Sequence, residues 1–216
     1  MKAFLVILAA TIVLATGADA RDRTDFSVHG GFTISSFSTH WSDVDGRRSF
    51  SIGAYVGQPL SRYLSVYGGI SYIEKGGTLT SEWMRAEGLG YRSPTAPYAF
   101  VYPESQIAID YIEIPILLEM TLFDLDFIRA TLVGGSYLGI RLRDRTTTVS
   151  QLAYILETTR GDIEPVDFGA IGGAGVDIQT ETGVFHLGVR VSSSMIQVAP
   201  GLGRNVTWSM LAGYSL

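Results

Sequence analysis

The sequence predicts an all-β protein: an eight-stranded antiparallel up-and-down transmembrane β-barrel of the outer-membrane type. Three observations point there. Period-two alternation of apolar and polar residues recurs eight times along the chain, which marks strands rather than helices. The connections between these segments are alternately short and long, as in a barrel with turns at one end and loops at the other. The polar faces are poor in charge, whereas a strand face in water is rich in Lys and Glu.

The first twenty residues precede the fold. Lys2 is followed by an apolar run from Ala3 to Leu14 and then by Ala18-Asp19-Ala20. A short positive start, an apolar stretch and an A-x-A site mark a secretory signal peptide, here expected to be cut after Ala20. The run is too short for a spanning helix of about 20 residues. The remainder, 21–216, is expected to form one outer-membrane β-barrel domain, because 216 residues leave little room for two.

The first strand is expected over about 25–38, where Phe26, Val28, Phe32 and Ile34 alternate. The second, 49–58, sets Phe50, Ile52, Ala54 and Val56 against Ser49, Ser51, Gly53, Tyr55 and Gly57. The third, 63–75, sets Leu64, Val66, Ile70 and Tyr72 against Ser65, Tyr67, Gly69 and Ser71. The fourth, 107–121, carries Ile112, Ile114, Ile116 and Leu118 opposite Tyr111, Glu113 and Pro115. A proline cannot donate to a strand ladder, so a bulge is expected beside Pro115. The fifth, 126–142, carries Ile128, Ala130, Leu132, Leu138 and Ile140 opposite Arg129, Thr131 and Tyr137. The sixth, 167–179, carries Phe168, Ala170, Ala174, Val176 and Ile178 opposite Asp167, Gly169, Gly173, Gly175 and Asp177. The seventh, 184–194, carries Phe185, Leu187, Val189 and Val191 opposite His186, Gly188 and Arg190. The eighth, 205–216, carries Val206, Trp208, Met210, Ala212, Tyr214 and Leu216 opposite Asn205, Thr207, Ser209, Gly213 and Ser215. Short turns fall at 58–62, 123–125 and 180–183, and longer polar loops at 39–48, 76–106, 143–166 and 195–204.

Composition narrows the function. There is no cysteine, hence no disulfide framework, thiol nucleophile or lipobox. Charged residues make up 17% of the chain, below the roughly 25% of soluble domains. The net charge is −5 and only two of the 16 basic residues are lysine, so no nucleic-acid partner is expected. The polar faces hold mainly Gly, Ser, Thr and Tyr, with single charges of both signs. That suits a narrow lumen, where small residues fit and opposite charges pair. The other faces are aliphatic, with Phe50, Tyr72, Phe168, Trp208 and Tyr214 near strand ends, as in a lipid-facing band with aromatic girdles. A soluble periplasmic lipocalin-like barrel binding an apolar ligand is the inverted alternative. Eight strands enclose too little space for an aqueous channel, which argues against a porin.

The segment Asp110-Tyr111-Ile112-Glu113-Ile114-Pro115-Ile116-Leu117-Leu118 resembles the Y-x-E-I-P-x-L-L strand of the PorT-like outer-membrane β-barrel family. Gly134-Gly135-Ser136-Tyr137-Leu138-Gly139 resembles its Gly-rich fifth strand, and Asp167-Phe168-Gly169 through Gly175-Val176 its D-F-G-x-x-x-G-x-G strand. The similarity covers about 25–216. It implies an eight-stranded barrel in the outer membrane of a Bacteroidetes-type Gram-negative bacterium, and it implies no activity. The chain departs from the usual terminal Phe by ending in Leu216, which keeps the hydrophobic alternation.

Candidate chemistry lies on the polar faces and in the loops. Glu113, Arg129, Asp167, Asp177, His186 and Arg190 are expected to form a polar network filling the lumen. His186 near several serines also raises a lipid-modifying barrel enzyme, though no spacing marks a Ser-His-acid set. His40-Trp41-Ser42-Asp43 reads as solvated loop rather than metal site, and no cofactor is expected. The loop 76–106 holds Trp83, Tyr91, Tyr98, Phe100 and Tyr102, candidates for contact with a surface protein or glycan. The expected partners are outer-membrane lipid, the barrel assembly machinery during biogenesis, and whatever the loops bind. The sequence thus predicts a non-enzymatic structural or surface-interaction barrel with no open pore.

Overall fold

A computed structural model describes residues 24–38, 44–80, 91–92, 100–101, 104–149, 155–158, 163–199 and 203–216. Residues 1–20, expected as a signal peptide, and His40 to Asp43, Trp83, Tyr98 and Tyr102 lie outside the described residues. So do the side chains of Tyr91 and Phe100.

The strands are β1 (Asp25–Ser38), β2 (Val44–Pro59), β3 (Leu64–Leu79), β4 (Tyr91–Arg92), β5 (Phe100–Val101), β6 (Glu104–Asp124), β7 (Ile128–Val149), β8 (Ile155–Thr158), β9 (Val166–Gln179), β10 (Val184–Ser194) and β11 (Arg204–Ser215). The order β6-β3-β2-β1-β11-β10-β9-β7 is closed by the β6–β7 pairing, and every pairing is antiparallel. Closure removes every edge, which a lipid environment demands of a sheet. β8 extends the ladder on β7 beyond β9, and β4 pairs with β5 in a separate hairpin. Among the described residues no helix is long and apolar enough to cross a membrane.

The alternation sorts the side chains as the eight segments predict. Phe26, Phe32, Ile34, Phe50, Ile70, Leu118, Phe168, Leu187, Trp208 and Met210 stand exposed on the outer face, Phe32 with 80% of its surface bare. Inward residues of the same strands, such as Ser27, Thr33, Ser51, Glu113, Thr131, Asp177 and Thr207, are buried. This is the reverse of a soluble barrel. A concavity of about 820 Å³ lies on the outer face between Phe32, Val176, Leu187, Val189 and Met210. The lipocalin-like alternative, with its apolar face inside, is thereby corrected. Rings pair across strands on the outer face, Phe50 with Tyr72 at 5.6 Å and Phe185 with Tyr214 at 4.9 Å.

Two expectations are corrected. The strands run past their predicted loop-side ends: β2 starts at Val44, β3 continues to Leu79, and β6 and β7 meet from Glu104 and Val149. Second, no bulge sits at Pro115. It pairs in register with Tyr137, and the β3 partners keep one register through Gly68↔Ile116 and Ser71↔Glu113. The proline interrupts the ladder for two residues without shifting it, because a missing N–H costs a hydrogen bond but need not add a residue. The shifts lie elsewhere, at Asp110/Tyr111 and Thr121/Phe123 against β7 and at Gly46/Ser51 against β3.

At the loop end the inside of the barrel becomes apolar. Phe37, Ile73, Leu79, Ile107, Ile109 and Tyr111 form one buried cluster with Ile163, Val198 and Ala199 from the connections. The connections are pinned by Glu164 N–H to the Val198 carbonyl (2.9 Å), Val198 N–H to the Gly203 carbonyl (2.8 Å), and Arg141 Nη1 to the Ile163 carbonyl (2.7 Å). Gly76 has φ +145° in β3, where a Cβ would run into the Ile107 carbonyl, so only glycine lets the two strands approach there.

Candidate functional site

Below the apolar cap, the lumen holds two polar centres, and the strand register explains both. In the first, nearer the short turns, one lateral row crosses five strands. His29 pairs with Gly213, Gly213 with His186, His186 with Asp177, and Asp177 with Arg129. Gly213 leaves room for the rings on either side: a Cβ there would meet the His29 ring at 2.7 Å. The two imidazoles stack across it, centroids 5.1 Å apart. Asp177 accepts from Arg129 Nε (2.9 Å) and Nη2 (2.8 Å) on one oxygen, and its other oxygen lies 2.7 Å from His186 Nδ1. His186 Nε2 lies 2.9 Å from Ser215 Oγ, and His29 Nε2 lies 3.0 Å from Ser27 Oγ.

The second centre lies higher. Glu113 and Asp167 both pair with Gly139, so a bare glycine again separates two charged neighbours in one row. Into that gap Lys75 reaches from β3, its side chain wholly buried. Its Nζ is 2.6 Å from Glu113 Oε1 and 3.0 Å from Asp167 Oδ2. Tyr137 OH donates to Asp167 Oδ2 (3.0 Å) and Ser194 Oγ to Asp167 Oδ1 (2.5 Å). The ammonium also stands 4.1 Å from the Tyr137 ring centroid. Gly169 makes this possible, since a Cβ there would lie 2.6 Å from Tyr137 Cε1. Burying one cation and two carboxylates is tolerable only with this degree of pairing.

The six lumen candidates therefore separate. Arg129, Asp177 and His186 join one centre, Glu113 and Asp167 the other. Arg190 donates to Tyr55 OH (3.2 Å) and packs 5.2 Å from that ring, between the two. Sequence reasoning left out Lys75, Tyr137, Ser194, His29 and Ser215 as partners. Lys75 was within reach of the pattern: Ser71, Ile73 and Lys75 continue the inward alternation of β3.

Space inside is scarce. Three cavities of about 40, 30 and 20 Å³ meet at His29 and Arg190. Each has room for one or a few water molecules. Among the described residues no cluster of His, Asp and Glu is arranged to hold a metal ion.

Ser215, His186 and Asp177 have the connectivity of a nucleophilic relay. The surroundings do not complete it. Arg129 already occupies one Asp177 oxygen. Ser215 is paired on both sides, with Ser27 and Val184, so the strands around it are committed to ladders rather than to an oxyanion. The adjoining cavities are too small for an acyl chain.

The chain is similar to several solved structures at low identity. Ail of Yersinia pestis matches with 13% identity, 90% of this chain and 100% of that chain, at a TM-score of 0.47. Neisserial surface protein A matches with 13% identity, 88% and 96% coverage, and a TM-score of 0.47. The outer-membrane protease OmpT of Escherichia coli matches with 9% identity, 90% and 96% coverage, and a TM-score of 0.36. No curated protein matches. Residues 18–198 match the family described as outer membrane protein beta-barrel domain. With a closed antiparallel barrel and an apolar outer belt, the chain belongs to that family and is an integral β-barrel of the outer membrane.

Proposed function

We propose that this barrel is a non-enzymatic, PorT-like outer-membrane protein of a Bacteroidetes-type bacterium that serves a structural or surface-interaction role. In this reading a signal peptide cut after Ala20 exports it, the assembly machinery inserts it, and lipid surrounds its belt. The long loops, with Trp83, Tyr91, Tyr98, Phe100 and Tyr102, meet a surface protein or glycan. The observation that carries the reading is the filled lumen. An apolar cap closes the loop end, and the ion-paired Lys75 stands beneath it. A barrel that neither conducts nor encloses a ligand acts through its outside and its loops.

Fractionation of native membranes with a carbonate wash, followed by gel mobility with and without boiling, tests the location and fold. The expected result is a membrane-retained protein whose mobility changes on heating; release by carbonate would overturn the reading. Purified barrel in a planar bilayer should show no steady conductance.

A second reading, a lipid-modifying enzyme, is favoured only by the Ser215–His186–Asp177 connectivity. A lipid-hydrolysis assay on wild type and His186→Ala decides it. Activity lost in the variant would establish the enzyme, and no activity in either would remove it.

A further inference from the structure

The charges on the outside of the barrel are sorted by end. Arg48, Arg143 and Arg204 are exposed on the loop side, where Asp45 and Glu164 are the exposed acids among residues with described side chains. Among the described residues of the turn side the exposed acids are Asp124, Asp126 and Glu181, and the exposed cation is Arg62.

The loop-side arginines stand at the margin of the belt rather than on the loops. Arg48 pairs with Ile34 and follows the outward alternation of Phe50 and Ile52, all exposed. Arg143 is the residue after the exposed Leu142, where the β7 register shifts. Arg204 ends the outward series Trp208, Val206, Arg204 on β11. Arg145, partly exposed, adds a fourth guanidinium 3.5 Å from Glu74. β2 and β11 flank β1, whereas β7 lies three strands from either, so Arg48 and Arg204 share one side of the barrel and Arg143 stands across from them. A long side chain at such a margin lays its methylenes along the apolar surface and lifts its charge to the headgroup layer. Guanidinium forks match phosphate oxygens with two hydrogen bonds, and these sites are all Arg.

We infer that Arg48, Arg143 and Arg204 bind phosphate groups of outer-leaflet lipid headgroups around the loop-side edge of the belt. The inference rests on the reading that the loop end faces outward in the outer membrane. The apolar belt fixes the occupant: an anion held at its edge is tethered to an acyl chain beside it, whereas a free phosphate gains nothing from the belt.

The test uses purified, folded barrel in vesicles of neutral phosphatidylcholine, with and without a phosphomonoester lipid, and reads the temperature at which the heat-dependent mobility change occurs. For wild type the midpoint should rise with the phosphate-bearing lipid, and added salt should shrink the rise. Arg48→Gln/Arg143→Gln/Arg204→Gln should lose most of the rise while keeping the midpoint in neutral vesicles, and the corresponding triple Lys variant should keep part of it. Should the Gln variant fold poorly, the single Arg48→Gln and Arg143→Gln variants should each lose part of the rise. Arg62→Gln should match wild type. An equal rise in wild type and the triple Gln variant would overturn the inference, as would the same rise from inorganic phosphate in neutral vesicles. Failure of the membrane reading looks different: no heat-modifiable species would form in any vesicle.

Discussion

The two ends of the barrel bury opposite surfaces with the same strands. In the belt, β6 turns Ile112, Ile114, Ile116 and Leu118 outward and Tyr111, Glu113 and Pro115 inward. A few residues on, Ile109 and Ile107 face inward with no exposed surface, while Gln106 faces out. The backbone phase of β6 continues; the apolar residues have changed sides. The change coincides with register shifts at Asp110/Tyr111 of β6 against β7 and at Gly46/Ser51 of β2 against β3. Such irregularities bend strands and re-aim side chains. The lower barrel is built for lipid and the upper barrel for water. In lipid the hydrophobic effect gives nothing to inward packing, so the lumen is held by ion pairs and hydrogen bonds. Above the membrane an inward apolar core becomes worthwhile again.

Breaking the lower region should cost most at Lys75. Lys75→Met leaves Glu113 and Asp167 buried and facing each other, and should destabilise the folded barrel by about 3–5 kcal/mol in denaturant titration from detergent or vesicles. The upper core should respond to a cavity: Ile109→Ala should cost about 2–5 kcal/mol, as in a soluble protein. The outer faces sharpen the contrast. Met210→Arg, on the exposed outer face of the belt, should cost about 2–4 kcal/mol in a bilayer if it lies near the midplane. Between the extremes sits Ser215→Ala, which removes one hydrogen bond to His186 and should cost about 1 kcal/mol. Gln106→Arg, exposed on the outer face of the upper region, should change stability by less than about 0.5 kcal/mol.

The lower barrel was legible because period-two alternation with a charge-poor polar face fits little besides a strand with lipid on one side and a narrow lumen on the other. The upper barrel was not, for the same reason. Its strands carry polar residues outward, such as Gln106 and Arg143, so 76–106 and 143–166 read as polar loops. The step from Ile112 outward to Ile109 inward breaks the apolar period of two, and periodicity alone cannot follow it. The charged residues of the lumen could be read as inward from their faces, but not who meets whom. That Glu113 and Asp167 share a glycine neighbour depends on pairings between β6, β7 and β9. The stack of His29 on His186 depends on β11 passing between them. Pairing register is a long-range property, and one sequence does not carry it.

The absence of cysteine makes the polarity change open to direct measurement. Single cysteines at 106, 118 and 210, each spin-labelled in the reconstituted barrel, would be compared for collision with oxygen, which concentrates in lipid, and with a water-soluble nickel chelate. Labels at 118 and 210 should favour oxygen and the label at 106 the nickel chelate, a reversal within one strand between 106 and 118. Equal nickel access at 106 and 118 would contradict a barrel whose lower half faces lipid and whose upper half faces water.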